Sequence, residues 1–85
     1  MKNENVPNEA LFPIGVVMEM TGLTARQIRY YEEKGLITPM RSRANRRIYS
    51  LNDVKQCIEI RKLLELGFNI AGVEKVLQMK SHNEL

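Results

Sequence analysis

Two arginines three residues apart are the side chains best suited to chemistry on a charged partner. They lie in the stretch 24–35, which divides into two faces when it is placed on a helix at about 100° per residue. One face carries Arg26, Arg29, Tyr30 and Glu33, and the other carries Thr24, Ile28 and Tyr31. Guanidinium forks match phosphate oxygens and the acceptor edge of guanine. The spacing therefore predicts a recognition helix for the major groove of DNA.

Four further arginines lie in a short segment after this helix. Residues 38–41 and 46–49 are predicted strands on either side of the loop 42–45, which Asn45 would close in a left-handed conformation. The arginines are Arg41, Arg43, Arg46 and Arg47. A basic β hairpin of this kind can lie along the sugar-phosphate backbone and displace its counterions. An exposed loop kept soluble by its charge is the alternative.

The positive charge of the chain is concentrated in the predicted recognition helix and the basic hairpin. The 85 residues carry a net charge of +3. Residues 26–47 hold seven basic and two acidic side chains, a local charge of +5, whereas the rest holds six basic and eight acidic ones. A positive patch on a slightly acidic body indicates a nucleic-acid-binding protein.

Composition excludes several other classes. An apolar share of 44% and a charged share of 27% fit one soluble domain with a modest core, and domains this small often dimerise. No apolar run is long enough for a membrane span, and the start is too polar for a signal peptide, so we expect a cytoplasmic protein. Cys57 and His82 stand alone, which predicts a core thiol, no metal site and no cofactor. No acid, base or nucleophile constellation occurs, so we expect no enzyme and no catalytic residue.

Helix signals arrange the remaining chain around the basic segment. Helices are predicted over 14–20, 25–34, 51–66 and 70–79, with Thr24, Ser50 and Asn69 as N-caps and Gly22, Gly35 and Gly67 at the ends. The predicted core positions outside the second helix are Ile14, Val17, Met18, Leu51, Val54, Cys57, Ile58, Ile60, Leu64, Ile70, Val73, Val76 and Leu77. The fold class is mainly α, a winged helix-turn-helix with a small β-hairpin wing. Residues 1–10 are expected to form a flexible arm, 11–80 the domain, and 81–85 a frayed end.

The order of these motifs resembles the MerR family of bacterial transcription regulators. Its hallmark is matched by Arg29-Tyr30-Tyr31-Glu32, by the run Gly35 to Arg41, by Arg47-Ile48-Tyr49-Ser50 with Asp53, and by Leu66-Gly67-Phe68. Within that family the chain looks most like the nitrogen regulators of the GlnR and TnrA type, and the stretches 11–18 and 24–33 look closer to the GlnR type. Asn45 and Arg46 replace the glycine and aromatic residue found in the wing of most other members.

The resemblance implies a homodimer that binds a palindromic operator in double-stranded DNA and regulates glutamine synthetase and other nitrogen-assimilation genes, as a repressor. It implies that Arg26 and Arg29 read bases and that Tyr30 touches phosphate. The candidate DNA-binding residues are Thr24, Arg26, Gln27, Arg29 and Tyr30 on the helix, and Arg41, Arg43, Asn45, Arg46, Arg47 and Tyr49 on the wing.

The sequence leaves control and two other functions open. Relatives of the GlnR type respond to feedback-inhibited glutamine synthetase through a C-terminal tail, which this sequence lacks, so we expect a shortened regulator or a short relative under different control. An excisionase-like module that bends DNA would share the winged fold. A module whose basic face binds an acidic protein is the third hypothesis.

Overall fold

Four helices and three short strands make up residues 10–83, the part of the chain that the computed structural model describes. In chain order they are β1 (Leu11–Phe12), α1 (Ile14–Thr21), α2 (Ala25–Glu33), β2 (Met40–Arg41), β3 (Arg47–Ser50), α3 (Leu51–Glu65) and α4 (Ile70–Asn83). All four predicted helices form. The predicted fold class, mainly α with a basic β hairpin after the second helix, is confirmed.

The turn between α1 and α2 is fixed at both of its ends. Gly22 ends α1 with φ +78°, a conformation that glycine adopts without strain. Thr24 then begins α2 as predicted, since its hydroxyl accepts from the Gln27 amide at 3.1 Å while the Gln27 side chain accepts from the Thr24 amide at 2.9 Å. Arg61 of α3 donates to the carbonyl of Thr21. These contacts hold α2 at a defined angle to the body of the domain.

The hairpin belongs to a sheet with one more strand than predicted. The antiparallel strands lie in the order β1-β3-β2, with Leu11 opposite Ser50, Phe12 opposite Tyr49 and Arg41 opposite Arg47. A two-residue strand has no detectable period, so β1 forms only because β3 offers it a partner. The sheet ties the start of the domain to the base of the hairpin.

The tip of the hairpin has the predicted conformation. Asn45 adopts φ +63°, and its amide donates to the Ser42 carbonyl at 2.8 Å. The Ser42 amide in turn donates to the Arg46 carbonyl at 2.8 Å. Asparagine tolerates the left-handed region better than most residues, which explains why it closes this turn.

The core lies between the helices and the inner face of β3. Its buried apolar residues are Val17, Leu23, Ile28, Tyr31, Leu36, Ile37, Tyr49, Val54, Cys57, Ile60, Leu63 and Val73. One predicted core position is corrected, since Leu51 in the first turn of α3 is 43% exposed. Leu63, which was not predicted, is buried, because the buried stripe of α3 advances three residues at a time from Val54.

The last helix extends beyond its predicted end. Asn69 caps it as predicted, with its side chain accepting from the Gly72 amide at 2.9 Å. The helix runs to Asn83, four residues beyond the predicted Met79. No glycine or proline interrupts the chain after Gly72, which leaves no local signal to stop the helix earlier. The expected N-terminal arm, apart from Ala10, and residues 84–85 lie outside the described residues.

Cys57 is fully buried, as predicted. Burial raises the pKa of its thiol to about 11 from an ordinary value of 9.0, and the nearby Asp53 carboxylate adds to the shift. The folded protein therefore keeps this proton between about pH 9 and pH 11, where the unfolded chain loses it. The contribution of this protonated thiol to the free energy of unfolding is fully present below pH 9 and is lost as the pH rises through 11.

We expect the titration of Cys57 to lower the free energy of unfolding by no more than about 3 kcal/mol between pH 9 and pH 11. The limit follows from about 1.4 kcal/mol for each unit of pKa shift. Urea denaturation at intervals of pH measures the slope. Cys57→Ala is the control and should flatten it. A slope that is the same in both proteins would contradict the assignment, as would rapid thiol labelling of the folded protein at pH 8.

Candidate nucleic-acid interface

The outer face of α2 presents three of the predicted DNA-binding side chains. Arg26 and Arg29 are exposed, and Tyr30 is 41% exposed. Ile28 and Tyr31 on the opposite face are buried in the core. Burial of one face fixes the rotation of the helix about its axis, so the two guanidinium groups point away from the body of the domain.

Tyr30 has a second feature that the sequence did not indicate. The Lys34 ammonium lies 5.6 Å from the centre of the Tyr30 ring, within the range of a cation–π contact. The phenol is thus flanked by positive charge on the same exposed face. A phenol in this position can donate to a phosphate oxygen while the ammonium neutralises it.

Thr24 and Gln27, also predicted to contact DNA, are both exposed at the start of α2. Their side chains are already engaged with each other's backbone amides in the capping box, and the Thr24 hydroxyl lies 3.2 Å from the Gln27 side-chain oxygen. Such a cap orients the first turn of the helix and leaves less capacity for a base or phosphate. The contacts observed for Thr24 and Gln27 are therefore those of a helix cap.

A groove of about 480 Å³ joins α2 to the hairpin. Its lining residues come from the start of α1, from α2 and from the hairpin: Pro13, Ile14, Arg29, Ser42, Asn45, Arg46, Arg47 and Ile48. Three arginines from two separate elements thus face one concave surface with an apolar floor. Pro13, Ile14 and Ile48 were not predicted as site residues, and no sequence signal distinguishes such floor residues from core.

The four hairpin arginines differ in their surroundings. Arg41, Arg43 and Arg46 are exposed. Arg41 donates through Nη1 to the Asn45 carbonyl at 3.3 Å, which folds it across the hairpin turn. Arg47 is half-buried, and its Nε lies 2.5 Å from Oε1 of Glu32 on α2. Arg47 thus differs from the freely projecting phosphate ligand that was expected.

Tyr49 corrects the predicted set of DNA-binding residues. Its side chain has no exposed surface, because β3 turns this position toward the core while neighbouring positions face outward. Burial raises the pKa of its hydroxyl, and the Glu32 carboxylate adds to that shift while Arg47 and Arg29 oppose it. No side chain or backbone group within residues 10–83 hydrogen-bonds to this hydroxyl. Tyr49 is a core residue beneath the interface.

Among the side chains of residues 10–80, which the structure describes, no group of three or more His, Cys, Asp or Glu is placed to hold a metal ion. None of the helices there combines the length and the hydropathy that a bilayer crossing requires.

The sequence of the chain is similar to those of known transcription regulators. A profile for the family described as "MerR HTH family regulatory protein" matches residues 12–80. The chain is 56% identical over 72 residues to the HTH-type transcriptional regulator GlnR of Bacillus anthracis, an alignment that covers 85% of this chain and 56% of that protein. The chain thus spans little more than half the length of this relative.

Two further relatives give the range of similarity. The HTH-type transcriptional regulator TnrA of Bacillus subtilis (strain 168) is 39% identical over 79 residues, which cover 93% of this chain and 72% of TnrA. The HTH-type transcriptional regulator CueR of Escherichia coli O157:H7 is 43% identical over 58 residues, which cover 67% of this chain and 43% of CueR. The similarity to GlnR and TnrA therefore extends over more of the chain than the similarity to CueR.

Proposed function

The chain belongs to the MerR helix-turn-helix family, and on that premise we propose that it is a sequence-specific DNA-binding regulator of transcription that acts on nitrogen-assimilation genes. The similarity to GlnR and TnrA supports the nitrogen assignment. The relatives are named as transcriptional regulators, which supports the expectation that the chain is not an enzyme. The proposal concerns the whole protein, of which this domain supplies the contact with DNA.

The observation that carries the proposal is the groove between α2 and the hairpin. Arg29 reaches it from the helix while Arg46 and Arg47 reach it from the hairpin, and Arg26 lies one turn before Arg29 on the same exposed face. A helix in the major groove would bring the hairpin against the adjacent phosphate backbone. In this arrangement Arg26 and Arg29 read bases, Tyr30 contacts a phosphate, and Arg41, Arg43 and Arg46 neutralise the flanking strand.

The finer assignments follow from the resemblance to the nitrogen regulators. The protein acts in the cytoplasm as a homodimer on an inverted repeat, and it represses the glutamine synthetase gene and related genes. A single 85-residue unit presents one recognition helix, so a two-fold dimer is needed to read two half-sites about one helical turn apart. Feedback-inhibited glutamine synthetase is the proposed protein partner.

Genome-wide binding followed by footprinting tests the proposal. We expect the strongest site to be a palindrome in the promoter of a glutamine synthetase gene, with two protected half-sites. Protection of tandem sites at a recombination attachment region would instead support an excisionase-like architectural protein. Failure to bind any duplex at low salt would overturn DNA binding and support an acidic protein partner.

A further inference from the structure

We propose that Glu32 is a positioning residue for DNA binding, which sets the angle of the hairpin against α2 through its ion pair with Arg47. The inference rests on the proposed function, because it concerns how the two DNA-contacting elements are held together. It assigns a role in binding to a carboxylate, the chemical group that phosphate should repel.

The first observation is the geometry of the pair. Arg47 Nε lies 2.5 Å from Glu32 Oε1, and the two side chains are 33% and 24% exposed. Three ion pairs occur in residues 10–83, and the other two lie within α3 or between α3 and α4. The pair of Glu32 and Arg47 is the one that joins α2 to the hairpin. A short, partly shielded pair of this kind is less weakened by salt than an exposed one.

The second observation is that little else holds the outer part of the hairpin, beyond the base where β3 pairs with β1 and buries Tyr49. Its strand β2 has only two residues, which face Arg47 and Ile48 on β3. Met40 and Arg41 on β2 and the tip residues 43–46 are all exposed, so they gain little packing from the body of the domain. Arg47 lies opposite Arg41 at the end of this ladder next to the loop. A contact to Arg47 therefore acts where the exposed loop leaves the paired strands.

The third observation is the electrostatic setting of Glu32. It shares a hollow with Arg29, Glu33 and Arg47, next to the groove proposed for DNA. Charge alone predicts that neutralising Glu32 would strengthen binding to a polyanion. Positioning predicts the opposite, because a hairpin freed from α2 would lose its phosphate contacts. The two explanations differ in the sign of one measurable effect.

Glu33 provides a matched control for that measurement. It is the next residue on the same helix, lines the same hollow, and is exposed. It takes part in none of the three ion pairs found within residues 10–83. Glu33→Gln therefore removes the same charge from nearly the same place without releasing the hairpin.

The experiment compares Glu32→Gln and Glu33→Gln in the full chain, by titration of an operator duplex at several salt concentrations. We expect Glu32→Gln to raise Kd by about fivefold or more, within the range of coupling measured for contacting residues. We also expect it to reduce the salt slope by about 1, the equivalent of one lost phosphate contact. Glu33→Gln should leave Kd unchanged or lower it, with no reduction in slope. Far-UV circular dichroism confirms that both variants are folded.

A second cycle tests whether Glu32 acts through Arg47. In an Arg47→Gln background, the Glu32→Gln change should no longer weaken binding, since the ion pair is already absent. An equal loss in that background overturns the positioning role, and so does a Glu32→Gln variant that binds as tightly as Glu33→Gln. If the unaltered chain bound no duplex, the proposed function would fail instead, so the two failures are distinguishable.

Discussion

Arg26→Ala is expected to weaken binding to the operator by about 1 to 3 kcal/mol and to relax the preference at one base position of each half-site. The reason is that Arg26 is exposed on the outer face of α2, whose rotation is fixed by the burial of Ile28 and Tyr31. A bidentate guanidinium contact distinguishes one base from the others, and the alanine side chain has no hydrogen-bond donor to replace it. Competition titrations with a set of single-base operator variants measure both effects.

Arg43→Ala is the control for this experiment. Arg43 is exposed in the hairpin loop, and its proposed contact is with the phosphate backbone, which is the same in every DNA sequence. Its loss should weaken binding to all duplexes by a similar factor and lower the salt slope by about 1. An Arg26→Ala variant with unchanged affinity and unchanged base preference would overturn the role assigned to α2.

Tyr49→Ala is expected to cost about 3 to 5 kcal/mol of folding free energy, as for other large aromatic residues removed from a core. Tyr49 has no exposed surface and lies opposite Phe12 in the sheet. The whole stability of a native domain is only about 5 to 15 kcal/mol. Chemical denaturation should therefore show a variant close to the limit of folding, with DNA binding lost in consequence.

Tyr49→Phe separates this structural role from a direct contact with DNA. The Tyr49 hydroxyl has no hydrogen-bond partner within residues 10–83, and a buried unpaired polar group costs about 1 to 3 kcal/mol. We expect the phenylalanine variant to be as stable as the unaltered protein or more so, with unchanged operator affinity. A folded Tyr49→Phe variant that binds ten times more weakly would show that the hydroxyl reaches DNA after all.

The two experiments on arginine and tyrosine address different layers of one surface. Arg26 and Arg29 are exposed on the outer face of α2, the surface proposed to meet DNA, whereas Tyr49 lies beneath it and supports the base of the hairpin. The charges of Glu32, Arg47 and Arg29 all act on the Tyr49 hydroxyl, so this residue lies close to the point where helix and hairpin meet. Changes to the lower layer should alter stability first, and changes to the upper layer should alter affinity alone.

The N-cap residues are among the features that local sequence patterns predicted correctly. Thr24, Ser50 and Asn69 each accept from a backbone amide in the first turn of the helix that they were predicted to begin. The positions of Gly22 and Asn45 were also predicted, since both turns need a left-handed backbone. These features depend on residues within four positions of each other. The sequence therefore contains all the information that they require.

The arginines of the proposed interface were also predicted from the sequence, because their number and spacing on a predicted helix and hairpin do not depend on packing. Tertiary structure decided the features that depend on contacts between distant parts of the chain. Strand β1 exists only through pairing with β3, Tyr49 faces inward because of that sheet, and Arg47 is held by a carboxylate on another element. Each of these outcomes is a contact between residues far apart in the chain, and its energy arises only when the folded elements meet.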